Sequence, residues 1–91
     1  MLFRSDYVAA REALARLYLA RNQPAAAVAQ LEASLKLSPA NPSLLELRGD
    51  VALVEGQKDA ARQDWMRSLA AAPDTAAKSR LKRKLAALLE H

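Results

Sequence analysis

Apolar residues recur along this chain at intervals of three and four, and Pro, Gly and Asn punctuate the runs that carry them. That spacing predicts helices with one buried face. A first helix is predicted from Asp6 to Arg21, with Val8, Leu14, Leu17 and Tyr18 at helical spacing. Asn22 tolerates the left-handed backbone of a helix end, and Pro24 suits the first turn of the next helix, where a missing N–H leaves nothing unpaired. The second helix runs to about Leu37, with Val28, Leu31 and Leu35 on one face. A turn follows, in which Asn41 is placed to cap a third helix that starts with Pro42. The third helix runs to Glu55 with Leu45, Ala52 and Leu53 facing inward, and Gly56 terminates it. A fourth, from Asp59 to Ala71, carries Trp65 and Leu69. Pro73, Asp74 and Thr75 break the chain again, before a fifth helix from Thr75 to Leu89 with Ala77, Leu81, Leu85 and Leu88 on one stripe. The predicted fold class is therefore all-α, about five helices arranged as antiparallel helix-turn-helix pairs.

The pattern repeats. Pro39 and Pro73 lie 34 residues apart, and aligning on them superposes 8–41 on 42–75. Ala15 then falls on Gly49, Ala27 on Ala61, Ser34 on Ser68, Asn22 on Gly56 and Leu31 on Trp65. Small residues meet small ones and bulky residues meet bulky ones. One helix pair cannot bury its apolar face alone, so such units stack on their neighbours.

The 34-residue period, the two helices per period and the closing prolines resemble the tetratricopeptide repeat. That family keeps small residues where its helices touch, and Ala15, Ala27, Ser34, Gly49, Ala61 and Ser68 all fit. Leu14, Tyr18, Leu31, Leu45 and Trp65 fit its large positions, whereas Arg11, Arg48 and Ala52 depart from the pattern. The resemblance implies two repeats, over about 8–41 and 42–75, and a solvating capping helix over about 75–89, together forming a single domain. Two repeats and a cap are near the lower limit for independent stability, so the unit is expected to be the C-terminal part of a larger bacterial protein of this kind.

Ninety-one residues bound the chain to one small domain. Cysteine is absent, which excludes disulfides and thiolate metal sites; this fits the cytoplasm without excluding the periplasm. No apolar run approaches the roughly 18 residues needed to span a membrane. Met1 to Ser5 is too short and polar for a signal peptide and reads like the translation of a sequencing adapter, so it is set apart from the functional reading. Leu89, Glu90 and His91 are equally consistent with a tag stub or a natural end. The net charge of +4 is uneven: residues 1–73 hold nine Lys/Arg and eight Asp/Glu, residues 74–91 five and two, so the basic excess lies in the last segment.

Catalysis has little to stand on. The one histidine is His91, and Gly49 and Gly56 make no phosphate loop. Ser34 and Ser68 read as packing residues. Glu46 and Asp50, one helical turn apart, are expected to form a solvated acidic face rather than a metal site, so no enzyme activity, metal or cofactor is predicted. The resemblance places ligands against the first helix of each repeat. Carried over, the partner-binding groove comprises Glu12, Arg16, Leu19, Glu46, Leu47, Asp50, Leu53 and Val54. The expected function is a protein-interaction scaffold taking a peptide or protein segment, apolar or basic because these carboxylates repel acids. No small-molecule substrate is expected. The alternative is an anion- or nucleic-acid-binding domain using Lys78, Arg80, Lys82, Arg83 and Lys84; with no aromatic interleaved to stack bases, that stretch reads rather as the polar face of the cap. Self-association is expected through the first helix, with Tyr7, Ala10, Leu14 and Tyr18 on its free face.

Overall fold

The structure, a computed structural model, describes residues 3–90. Five helices follow one another: α1 (Arg4–Ala20), α2 (Pro24–Leu37), α3 (Pro42–Val54), α4 (Lys58–Ala71) and α5 (Thr75–Leu89). Each lies within two residues of its sequence prediction. Met1, Leu2 and His91, which carry part of the reasoning about the ends, lie outside the described residues. Residues 4 and 5, set apart on sequence grounds, belong to the first turn of α1.

The turns behave as their residues dictate. Asn22 (φ 57°) and Gly56 (φ 77°), one repeat apart, hold the left-handed conformation that ends α1 and α3. Beyond them the N–H groups of Gln23 and Gln57 reach back to the carbonyls of Tyr18 and Ala52, at 2.8 and 2.9 Å. The Asn41 side chain accepts from the N–H groups of Ser43 and Leu44 at the start of α3, and that of Asp74 accepts from Ala77 at the start of α5. Among the described residues, side-chain caps are absent from α1, α2 and α4.

α1 packs on α2, α3 on α2 and on α4, and α5 on α4. One core cluster joins the first repeat to α3 through Val8, Ala15, Ala27, Leu31, Leu35, Leu44, Leu45, Leu47 and Val51. Beyond it Ala61, Trp65, Ala77 and Leu81 are buried too, and they belong to α4 and α5. Ala15 and Gly49, one repeat apart, are both buried. A Cβ built on Gly49 would overlap the Trp65 indole and come within 3.2 Å of the Ala61 carbonyl oxygen.

One expectation of the sequence pattern fails. Leu14 and Leu17 are 41% and 45% exposed, and Leu53 is 40% exposed, because the α1 and α3 faces that bury most are set by Val8 and Ala15, and by Leu44, Leu45 and Val51. Arg11 and Arg48, departures from the repeat pattern, are accommodated by polar partners. Arg48 grips Asp64 with two hydrogen bonds of 3.0 and 2.8 Å and reaches Glu32 at 3.4 Å, while Arg11 lies 4.5 Å over the Tyr7 ring and bonds Gln30. The two packing serines also diverge: the Ser68 hydroxyl donates to the Pro42 carbonyl at 2.7 Å, whereas the Ser34 hydroxyl is buried without a partner among the described residues.

Candidate partner-binding groove

α1, α3 and α5 are the leading helices of successive units, and equivalent positions on them lie side by side. The 34-residue register places Glu12, Glu46 and Arg80 in one row, Arg16, Asp50 and Lys84 in the next, then Leu19, Leu53 and Ala87, then Ala20, Val54 and Leu88. The first two rows make a polar lane and the last two an apolar lane.

The polar lane is largely closed by its own charges. Arg80 donates to Glu46 through Nε and Nη2, both at 2.8 Å. Lys84 Nζ bridges Glu46 at 2.7 Å and Asp50 at 2.8 Å, and stands 5.6 Å from the Trp65 ring centroid. The indole N–H of Trp65 completes the network by donating to the Glu46 carbonyl at 3.1 Å and to Asp50 Oδ1 at 3.2 Å. At the α1 end, Glu12 accepts from the Ser43 hydroxyl at 2.6 Å and from Arg16 at 2.9 Å. The Arg80 guanidinium, against the opposing pull of burial and with help from Lys84, holds the Glu46 carboxyl down to about 2. A trough of about 520 Å³ runs along this lane between α1, α3 and α5, lined by Arg16, Ser43, Glu46, Leu47, Asp50, Arg80 and Lys84 among others.

This arrangement corrects the reading of Glu46 and Asp50 as a solvated acidic face. Glu46 is 9% exposed and doubly paired, and Asp50 is paired with Lys84, so both carboxylates are already neutralised within the fold. The expected polar outer face of the cap is also revised: Arg80 and Lys84 turn onto α3, leaving Lys78, Lys82 and Arg83 exposed. The signal that finds Arg80 and Lys84 is present in the sequence. Extending the register one further period lands Glu46 on Arg80 and Asp50 on Lys84, opposite charges at equivalent positions.

The apolar lane is open. A cleft of about 750 Å³ lies between the C-terminal halves of α3 and α5, walled by Leu53, Ala87 and Leu88 and bordered by Trp65 and Lys84. Leu53 and Val54 are 40% and 51% exposed. Of the residues predicted to form the groove, Arg16, Glu46, Leu47 and Asp50 meet in the trough, and Leu53 and Asp50 in the cleft. Leu47, though it lines the trough, is a core residue at 2% exposure, and Leu19 is half-buried against the first repeat's core. Glu12 lines neither cavity and is tied to α3 through Ser43.

No group of three or more metal-ligating side chains occurs among the described residues, and none of their helices is long and apolar enough to cross a membrane. A family model described as a tetratricopeptide repeat-like domain matches residues 7–90. Comparison with curated proteins and with solved structures found no match.

Proposed function

Because the chain belongs to the tetratricopeptide repeat-like family, we propose that it is a protein-interaction scaffold holding a peptide or protein segment along the face formed by α1, α3 and α5. Helical repeats of this kind commonly serve protein interaction and are typically non-enzymatic. The observation that carries the reading is the open cleft at Leu53, Ala87 and Leu88, an apolar surface left uncovered beside a saturated polar lane. Apolar anchors supply most interface energy, while neutralised carboxylates offer a partner little charge to read. The segment is therefore apolar first, with Arg16 (57% exposed) and the outer side of Arg80 (49% exposed) available to its polar groups.

Selection from a displayed peptide library tests the reading. Peptides rich in large apolar residues should be enriched. Leu53→Asp and Leu88→Asp should each raise the dissociation rate about tenfold or more, since one lost anchor is worth 1–2 kcal/mol. Reversing Lys82 and Arg83 to Glu should leave binding unchanged. Enrichment of acidic peptides that depends on Lys82 and Arg83 would instead place binding on the outer face of α5.

A further inference from the structure

The face of α1 opposite α2 has a counterpart inside the same molecule. Adding one repeat period carries Ala10 onto Leu44 and Leu17 onto Val51. Leu44 and Val51 are 0% exposed in the cluster that joins α3 to the first repeat, whereas Ala10 is exposed and Leu17 is 45% exposed. Leu14, between them, is 41% exposed. The same position is thus sealed in one copy of the repeat and open in the other.

An occupant must bring an apolar helix face of its own. Elsewhere among the described residues the large exposed apolar side chains are Phe3 ahead of α1, Leu53 and Val54 at the groove, Met66 alone on α4, and Leu89 at the last helix end. The outer face of α5 presents Lys82 and Arg83 where α1 and α3 have Leu14–Ala15 and Arg48–Gly49. The free face of α1 can meet a copy of itself, with Ala10, Leu14 and Leu17 spaced four and three apart as in a two-helix seam. Two such faces meet isologously about a two-fold axis.

Charge selects the direction. Asp6 in the first turn of α1 and Arg21 just past its end are both exposed, and neither side chain has a partner within the described chain. In an antiparallel pair centred between Ala13 and Leu14, Asp6 of each copy lies beside Arg21 of the other, and Ala10 lies opposite Leu17, small against large. A parallel pair would set Asp6 beside Asp6 and Arg21 beside Arg21. We propose that α1 is a homodimerisation surface on which a second copy of this chain docks antiparallel, centred between Ala13 and Leu14 and aligned by reciprocal Asp6–Arg21 pairs.

The absence of cysteine makes a clean test possible. Sedimentation of the full chain should show a concentration-dependent dimer, and Leu14→Arg should leave a monomer with unchanged helicity and melting temperature. Asp6→Arg or Arg21→Asp alone should weaken association about tenfold, because two symmetric pairs turn repulsive, and the double exchange should restore it. Leu14→Cys, next to the two-fold axis, should oxidise to a disulfide-linked dimer. Leu17→Cys should not, because in the antiparallel pair its two copies stand roughly 10 Å apart along the helices, beyond disulfide reach. A monomer at high concentration overturns the proposal. Cross-linking through Leu17→Cys, or a double exchange that fails to restore association, overturns the antiparallel register.

Discussion

Trp65→Ala is expected to lower stability by about 3–5 kcal/mol, the range for deleting a buried aromatic side chain. A domain of this size has little more than that in total, so the variant should be largely unfolded at room temperature by circular dichroism. Trp65 is 2% exposed, and its indole N–H is spent on the Glu46 carbonyl and Asp50. Its removal therefore opens a cavity and takes one donor from each of two acceptors. The unmodified protein should show blue-shifted tryptophan emission that moves to the red in one step with denaturant. Emission already at the fully solvated wavelength in the native state would contradict the burial on which this rests.

The same indole explains a difference between the two repeats. The first pairs Ala15 with Leu31; the second pairs Gly49 with Trp65 at the equivalent positions. Gly49 lies in mid-helix, where replacing Gly by Ala ordinarily gains about 1 kcal/mol. Here the added methyl collides with the indole and crowds the Ala61 carbonyl, and overpacking a rigid core costs about 1–3 kcal/mol. Gly49→Ala should therefore destabilise, against its propensity. In a Trp65→Leu background the sign should reverse, because the pair then matches Ala15 with Leu31. Additive effects in that double-mutant cycle would mean that the two residues do not share the crossing.

The sequence makes the fold legible for a physical reason. Small residues at helix crossings and residues suited to left-handed helix ends are local requirements, and Asn22, Asn41, Gly49 and Gly56 meet them without reference to distant parts of the chain. Side-chain direction is less local. Leu14 and Leu17 have the spacing of core residues, yet only a neighbouring helix can bury them, and helical periodicity does not say which faces find one. The face proposed here as a groove is legible as positions one repeat apart on α1, α3 and α5, not as an electrostatic object. Glu46 and Asp50 look like exposed acids until α5 is laid beside α3, and only the register one period on reveals Arg80 and Lys84 as their counter-ions. Arg48 shows the same limit from the other side: read against the repeat pattern it is a misfit, but Asp64, 16 residues on and 7% exposed, makes it a cross-helix tie.

Acid should loosen the cap before the rest of the fold. Glu46 binds its proton near 2 in the folded chain and at 4.5 when unconstrained, so on acidification the unfolded state takes up the proton first. The stabilisation is fully present above about pH 4.5 and is lost as pH falls from there toward 2. A shift of that size corresponds to about 3 kcal/mol by linkage; with Arg80 half exposed, solvent screening reduces it to roughly 2. Glu46→Gln should destabilise by a similar amount at pH 7 and flatten the acid limb of the stability curve. The gap between the two proteins should therefore narrow from pH 7 to about pH 3 in denaturant titrations. The loss should appear first on α5, which Arg80 and Lys84 clamp to α3, so its amides should lose hydrogen-exchange protection while α1 and α2 keep theirs. Lys84→Ala should do more harm to the clamp than Arg80→Ala, because Lys84 serves Glu46 and Asp50 together and covers Trp65. Were Glu46→Gln to follow the same acid limb as the unmodified chain, the proton that matters would belong to another carboxylate, and the clamp would not be what couples the cap to pH.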